Sequence, residues 1–233
     1  MLLLLPFLLA LGASEPAPAA NSAPRPTPLT EIGRVRALPA CVPIVAHANG
    51  AITQALDNDR ALAIITTNLR NTDFDRLNFM QRRVAIEALM KHAEAMRVAS
   101  SAGDVEIKKL REYAVNSPDP NRKVELKTFA DALGGALYRQ KKAAVEFMRD
   151  ITVMRGREDA AEARAITSRD SQVPMAAQQS ALSGRQTSTL PDPPAGYNKQ
   201  LQSLAESLEL LNPAIMTDEG NAADHSIAAT AGC

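Results

Sequence analysis

A run of regularly spaced apolar residues between Leu126 and Met154 constrains the fold more than any other feature of the sequence. Apolar or small side chains recur there in alternating steps of four and three, and Gln140 is the only polar member of the series. The other members are Leu126, Ala130, Leu133, Leu137, Ala144, Phe147, Ile151 and Met154. This spacing predicts a long helix, from about 121 to 155, that packs against other helices. It favours an intramolecular bundle, although Gln140 could also fix the register of a homo-oligomer.

The composition favours helices over sheets as the partners of this long helix. Hydrophobic residues make up 45% of the 233 residues, whereas aromatic residues make up 3% and Trp is absent. A core of Leu, Ile, Val, Met and Ala suits closely packed helices better than a β-sandwich or barrel, which rely on β-branched and aromatic residues. We therefore predict an all-α protein, an antiparallel bundle of three to four helices over residues 40–168.

The first residues have the form of a secretory signal. Residues 1–11 are mostly apolar, and this run is about half the roughly 20 residues that span a bilayer, so a membrane anchor is the weaker interpretation. Small residues that a signal peptidase accepts follow it, and cleavage is expected after Gly12, Ala13 or Ala19. We predict a signal peptide at 1–19, a disordered Pro/Ala-rich linker at 20–39, export to the periplasm or the cell exterior, and no transmembrane helix in the mature chain.

The chain contains two cysteines, Cys41 and Cys233. After export to an oxidising compartment, they could form a disulfide that joins the last residue to the start of the folded part. The sequence cannot establish that the two Cα atoms lie within bonding range. The alternative is that Cys41 is a small buried side chain and Cys233 is a terminal thiol available to another molecule.

The first predicted helix has its apolar face from Ile44 to Leu69. Asn49-Gly50 interrupts the pattern and is either a tolerated exposed pair or the end of a short first helix. The same pattern places Asp59 on the inner face, where an acidic residue is unexpected. Three interpretations stay open for it: a kink, a partner Arg from another helix, or an error in the assigned register.

Turn and capping signals set the limits of the next helices. Thr72 and Asp75 have the form of a capping box, which predicts a second helix from about 73 to 99. The stretch 100–104, Ser-Ser-Ala-Gly-Asp, predicts a turn that is followed by a short helix at 105–114.

The long helix follows the Pro-rich turn at 116–121, and Gly156 is well placed to end it. Gly134-Gly135 lies in its middle, where the two glycines mark either a close helix crossing or a weak point. Residues 158–166 are helix-prone, and they either extend the long helix or form a short exposed one.

The C-terminal third is predicted to be less ordered. Residues 169–196 are rich in Ser, Gln, Thr and Pro and are predicted to be a disordered linker. Residues 197–211 form an amphipathic helix, which is either docked on the bundle or a detached recognition helix for a partner. Its apolar side is formed by Leu201, Leu204, Leu208 and Leu211. The small and polar residues 212–233 are predicted to be a mobile tail.

The sequence offers few groups for chemistry. It has no nucleophile elbow, zinc-protease, c-type haem or phosphate-loop motif, so we predict no enzyme, no catalytic residues and no cofactor. The formal net charge of +0 gives no general attraction to nucleic acid, and we predict none as a partner. His92 and Met96 are four residues apart, and this imidazole–thioether pair suits copper, although Met at helical spacing is more often core filler.

The later part of the long helix is locally basic, through Arg139, Lys141, Lys142 and Arg149. The ordinary interpretation is a solvated face that Glu146 and Asp150 balance. The sharper one is a docking site for an acidic partner or a cell-envelope polymer, and the two interpretations predict a different salt dependence of binding. Leu201, Leu204 and Leu208 of the last helix are the other candidates for a partner surface.

These observations predict an exported, non-enzymatic binding or scaffold protein of the cell envelope that acts through a helical surface. A protein or another cell-envelope component is the expected partner, and a homo-oligomer is possible. The alternative is a bundle that binds a small ligand or a metal of the copper type.

Overall fold

The computed structural model describes residues 27–32, 41–183 and 196–230, with side chains for all of these except residues 168–183. All regular secondary structure in these ranges is helical, which confirms the all-α prediction. The elements are α1 (Val42–Asn71), a 3₁₀ helix (Phe74–Arg76), α2 (Phe79–Asn116), α3 (Pro120–Ser183), α4 (Tyr197–Glu209) and α5 (Asn212–Ala229). None of these helices combines the length and the apolar content that crossing a membrane requires.

The long helices form an antiparallel bundle, as predicted. Ion pairs between α2 and α3 show the direction, because Glu87 pairs with Arg155 and Arg111 pairs with Asp131. The two shorter helices, α4 and α5, together take the place of a fourth helix beside α1, α2 and α3. Helix α4 begins beside the 3₁₀ helix. Helix α5 packs mainly against α3 and ends near α1. The bundle therefore extends well beyond the predicted limits of 40–168.

The apolar core has two halves on either side of a polar layer. The first half lies around Phe74, Ile86 and Phe147, and α4 packs on it. The second half lies around Ile52 and Phe129, and α5 packs on it. Buried polar side chains from four helices lie between the halves, and they are Asn58, Ser100, Gln140 and Glu219. We call these residues, together with Asp59, the polar layer.

The turn predicted at 100–104 is wrong, because α2 continues through it. Ser100 and Gly103 are both buried against the neighbouring helices. A Cβ atom on Gly103 would lie 2.7 Å from Cδ1 of Leu137, a fully buried residue of α3. These small residues thus mark a close approach between α2 and α3. Gly135 is similar, since a Cβ atom there would lie 2.9 Å from the Asp218 carboxylate of α5, which supports the crossing predicted around it.

Alanine substitutions at Gly103 and Gly156 are expected to change the stability in opposite directions. Gly103→Ala forces the buried Leu137 to move and should cost about 1–3 kcal/mol of unfolding free energy. Gly156 lies inside α3, and a Cβ atom added there would have no neighbour within 4 Å, so Gly156→Ala should stabilise the protein by about 1 kcal/mol. Urea unfolding of both variants measures the difference. Equal effects of the two substitutions would contradict the close approach at Gly103.

Two predicted helix ends are also wrong. The capping box of α2 is formed by Asn78 and Gln81, not by Thr72 and Asp75: the Gln81 amide donates to the Asn78 side chain at 2.9 Å, and the Asn78 amide donates to the Gln81 side chain at 3.1 Å. Gly156 does not end α3, which continues through 158–166, the extension that the sequence left open, to Ser183.

Segments outside the predicted bundle take part in the fold. Leu29 belongs to the second core half, and both backbone polar groups of Ile32 bond the buried side chain of Asn49, so the linker prediction is wrong for 27–32. The mobile-tail prediction is wrong for 212–229, which form α5. Helix α3 covers 169–183 of the predicted disordered linker. The predicted signal peptide at 1–19, and residues 184–195, lie outside the described residues.

Candidate functional site

The four basic residues of the predicted partner surface point to different sides of α3. Arg139 donates to the Asp218 carboxylate of α5 at 2.7 Å, and Lys141 donates to the Asp104 carboxylate of α2 at 3.1 Å. These two side chains therefore connect helices of the bundle. Their role as a docking site for an acidic partner has lost its main support.

Lys142 and Arg149 lie on the outward side of α3, together with three exposed apolar or aromatic side chains. Tyr138, Val145 and Val153 are 66%, 47% and 51% exposed. Steps of four, three, four and four residues keep all five side chains on one side of the helix. We call Tyr138, Lys142, Val145, Arg149 and Val153 the outer α3 face. Glu146 and Asp150 lie beside its two cations, so the face carries little net charge.

A shallow groove between α3 and α4 borders the outer α3 face. Its volume is about 280 Å³, and it is lined by Asp150, Val153, Met154, Arg157, Gln200, Ser203, Leu204 and Ser207. Of the three leucines predicted to face a partner, Leu204 lines this groove, whereas Leu201 and Leu208 are buried in the first core half. The prediction is therefore wrong for Leu201 and Leu208, because α4 uses them to dock on the bundle.

The other two predicted sites also lie against the core. Met96 is buried among apolar side chains and His92 is only partly exposed, which agrees with the core-filler interpretation of Met96. The described side chains contain no group of three His, Cys, Asp or Glu residues that could hold a metal ion, and the copper site stays a prediction. Cys41 is buried and disulfide-bonded, while its predicted partner Cys233 lies outside the described residues.

The polar layer combines four buried polar side chains with the part-buried Asp59, and Gln140 stands at its centre. The side-chain nitrogen of Gln140 donates to the Asp59 carboxylate at 2.8 Å, to Glu219 at 3.0 Å and to the backbone carbonyl of Ala55 at 3.1 Å. Its side-chain oxygen accepts from Asn58 at 2.9 Å. Asn58 also donates to the Ser100 hydroxyl at 2.9 Å. One polar residue in the α3 seam thus connects α1 and α5, and through Asn58 also α2.

Asp59 and Glu219 form a carboxyl pair inside this layer. They hydrogen-bond each other and both accept from Gln140, while the basic side chains of α3 beside them are engaged elsewhere, Arg139 with Asp218 and Lys141 with Asp104. Burial and the neighbouring Asp59 charge raise the pKa of Glu219 to about 8, and burial also raises the pKa of Asp59. Two carboxyls in contact in a desolvated site favour holding one proton between them.

A second buried ionic group lies at the end of the bundle where α4 begins. The guanidinium of Arg82 is fully buried, 3.4 Å from the buried Glu158 carboxylate of α3, and its central carbon lies 4.9 Å from the ring centre of Tyr197. Its Nε donates to the backbone carbonyl of Phe74 at 2.6 Å. Burial raises the pKa of Glu158, against the opposing effect of Arg82. This group connects α2, α3, the 3₁₀ helix and α4.

Comparison with known proteins gives no relative. No family model, no curated protein and no solved structure matches this chain. Its function must therefore be inferred from its own residues. Sequence reasoning identified Asp59 and Gln140 as unexpected inner positions, but it missed Asn58, Glu219 and Arg82. Glu219 was missed because the apolar pattern of 212–229 is too weak to predict a helix there.

Proposed function

We propose that this chain is an exported, non-enzymatic binding or scaffold protein of the cell envelope that binds a protein partner through the outer α3 face. The observation that carries the proposal is the exposure of Tyr138, Val145 and Val153 on one side of the longest helix. Tyrosine is enriched at protein interfaces, because its ring buries a large area while its hydroxyl remains polar. A rigid helix presents such a surface at a low entropic cost.

The charge of this surface favours a partner with an apolar stripe and charges of both signs. Lys142 and Arg149 alternate with Glu146 and Asp150 around the apolar positions. The groove beside Val153 offers a recess in which one side chain of the partner can pack. A partner helix with apolar residues at helical spacing fits this combination better than a strongly acidic polymer.

Two features of the chain support export. The apolar run at 1–11 and the following small residues have the form of a cleavable signal. Cys41 is disulfide-bonded, and stable disulfides belong mainly to oxidising compartments. The non-enzymatic part of the proposal is supported by the absence of catalytic motifs in the sequence and by the position of the carboxyl pair inside the bundle.

Substitution of Val145 by Asp is expected to abolish partner capture while the fold remains intact. Val145 is exposed, so the change should leave the melting temperature nearly unchanged, but a charge in the centre of an apolar contact prevents its desolvation. The measurement is crosslinking and co-purification of the native chain from the cell-envelope fraction, with partner recovery expected to fall roughly tenfold or more.

Val98→Asp is the matched control for this experiment, because Val98 has similar exposure on α2, away from the outer α3 face. It should retain the partner. Recovery of the same partner by Val145→Asp, or equal loss with Val98→Asp, would overturn the assignment of the outer α3 face.

A further inference from the structure

We propose that Asp59 and Glu219 form a proton-binding site that controls how firmly α5 is held in the bundle. With one proton shared between the two carboxyls, α5 is packed against α3. When the proton is lost, two negative charges face each other in the polar layer and α5 loosens. The pair is thus a pH-sensitive element built into the fold, separate from the outer α3 face.

The geometry around the pair carries this proposal. Both carboxyls accept from the same nitrogen of Gln140, at 2.8 Å for Asp59 and 3.0 Å for Glu219, so their oxygens lie close together. Glu219 is 7% exposed and cannot be solvated without movement of α5. A second charge on the pair would therefore be buried next to the first, which is strongly unfavourable at short distance in a desolvated site.

The charged groups on the surrounding helices do not compensate this charge. From α3, Arg139 is held by Asp218, the residue before Glu219, and Lys141 is held by Asp104 of α2. From α1 and α2, the other side chains of the layer are Asn58 and Ser100, which are neutral. Asp218 itself adds a further negative charge that disfavours ionisation of Glu219.

Helix α5 is the element that can open locally while the rest of the bundle stays folded. It has 18 residues, and its buried side chains are mostly small, so it contributes less apolar burial than α1 or α2. They are Ile215, Glu219, Gly220, Ala222, Ala223, Ser226 and Ala229. Local opening of such an element costs less than global unfolding. The ion pairs that hold its surface, Arg139 with Asp218 and His225 with Glu125, are partly exposed and contribute less.

Amide hydrogen exchange of the mature chain tests this control of α5. After correction for intrinsic rates, the opening equilibrium of 212–229 in the wild type should rise by up to about tenfold per pH unit between about pH 5 and pH 8, the slope for release of one proton. Glu219→Gln keeps the size of the side chain. Its amide nitrogen can donate a hydrogen bond to Asp59, although the side chain does not titrate. Glu219→Gln should abolish the rise of the α5 opening equilibrium with pH. Glu206→Gln, which changes an exposed acid of α4, should retain it.

Infrared difference spectra between acidic and alkaline pH provide a second test, and its main readout is made on the wild type. The wild type should lose the carbonyl band of a protonated, buried carboxylic acid as the pH rises through the folded pKa of Glu219, about 8. Glu219→Gln should lack this band, whereas Asp59→Asn should keep it and lose it at a lower pH, because burial still raises the pKa of Glu219 but the Asp59 charge no longer does. The absence of the band in the wild type would overturn the proposal. An unchanged pH dependence of α5 exchange in Glu219→Gln would overturn it as well.

Discussion

Replacement of Arg82 by Met is expected to cost about 3–5 kcal/mol of unfolding free energy. The side chain of Arg82 is fully buried, and its partner Glu158 is 6% exposed, so removal of the guanidinium leaves a carboxylate in a desolvated site without its cation. The substitution also removes the hydrogen bond to the Phe74 carbonyl and the contact with the Tyr197 ring. Urea unfolding followed by circular dichroism measures the loss.

Arg83→Met is the matched control, because the neighbouring arginine pairs with Asp159 and Glu162 at the surface and exposed ion pairs contribute little. The double variant Arg82→Met with Glu158→Gln should recover part of the loss, since it removes the unpaired charge as well. Equal destabilisation by Arg82→Met and Arg83→Met would contradict the assignment of Arg82 as a buried structural cation.

The two arginines show where sequence reasoning reaches its limit. Only Arg82 falls on the helical series of Phe79, Ile86 and Leu89 that forms the inner side of α2, so the spacing separates it from Arg83 but does not show what compensates its charge. The 3₁₀ helix places carbonyl groups, and α4 places Tyr197, over that side of α2. Tyr197 is far from Arg82 in the sequence, so no local pattern encodes this contact.

The seam of α3 was predictable because its periodicity is strong and its members are large. Leu126, Leu133 and Phe147 are all buried, as the spacing predicted. The two polar residues on inner faces, Asp59 and Gln140, were also visible from the sequence. The sequence did not show which groups these two side chains bond. Gln140 bonds Asp59 within one chain, so the amide sets the register between helices of the same bundle.

Helix α5 was missed because its inner face is built from small and polar residues. Gly220, Ala222 and Ser226 bury little apolar area, so they give almost no periodic signal, yet their size lets α5 pack closely on α3. The same reason explains the false turn at 100–104, where Gly103 serves close packing and not a turn. Small residues are ambiguous in sequence, since turns and close helix contacts both select them.

The stability of the whole protein is expected to fall as the pH rises from about 5 to about 8. The folded state raises the pKa of Glu219 from its usual 4.5 to about 8, so between these values the folded chain holds a proton that the unfolded chain has released. The unfolding free energy then decreases by up to about 1.4 kcal/mol for each pH unit, and the loss is complete above the folded pKa. Asp59, whose pKa is also raised, adds a change of the same sign.

Below this interval, exposed ion pairs make a small contribution of the opposite sign. Hydrogen bonds from Arg97 and Lys109 lower the pKa values of Glu94 and Glu112, and these pairs lose their contribution as the pH falls and the carboxylates are protonated. Urea unfolding at a series of pH values measures the profile.

Glu219→Gln should flatten the alkaline side of the stability profile and make the protein more stable than the wild type above about pH 8, because the buried amide carries no charge to desolvate. Glu206→Gln controls for the loss of one acidic residue. A wild-type unfolding free energy that stays constant or rises between pH 5 and 8 would show that the carboxyl pair does not control the pH dependence. The same slope in Glu219→Gln and the wild type would show this as well.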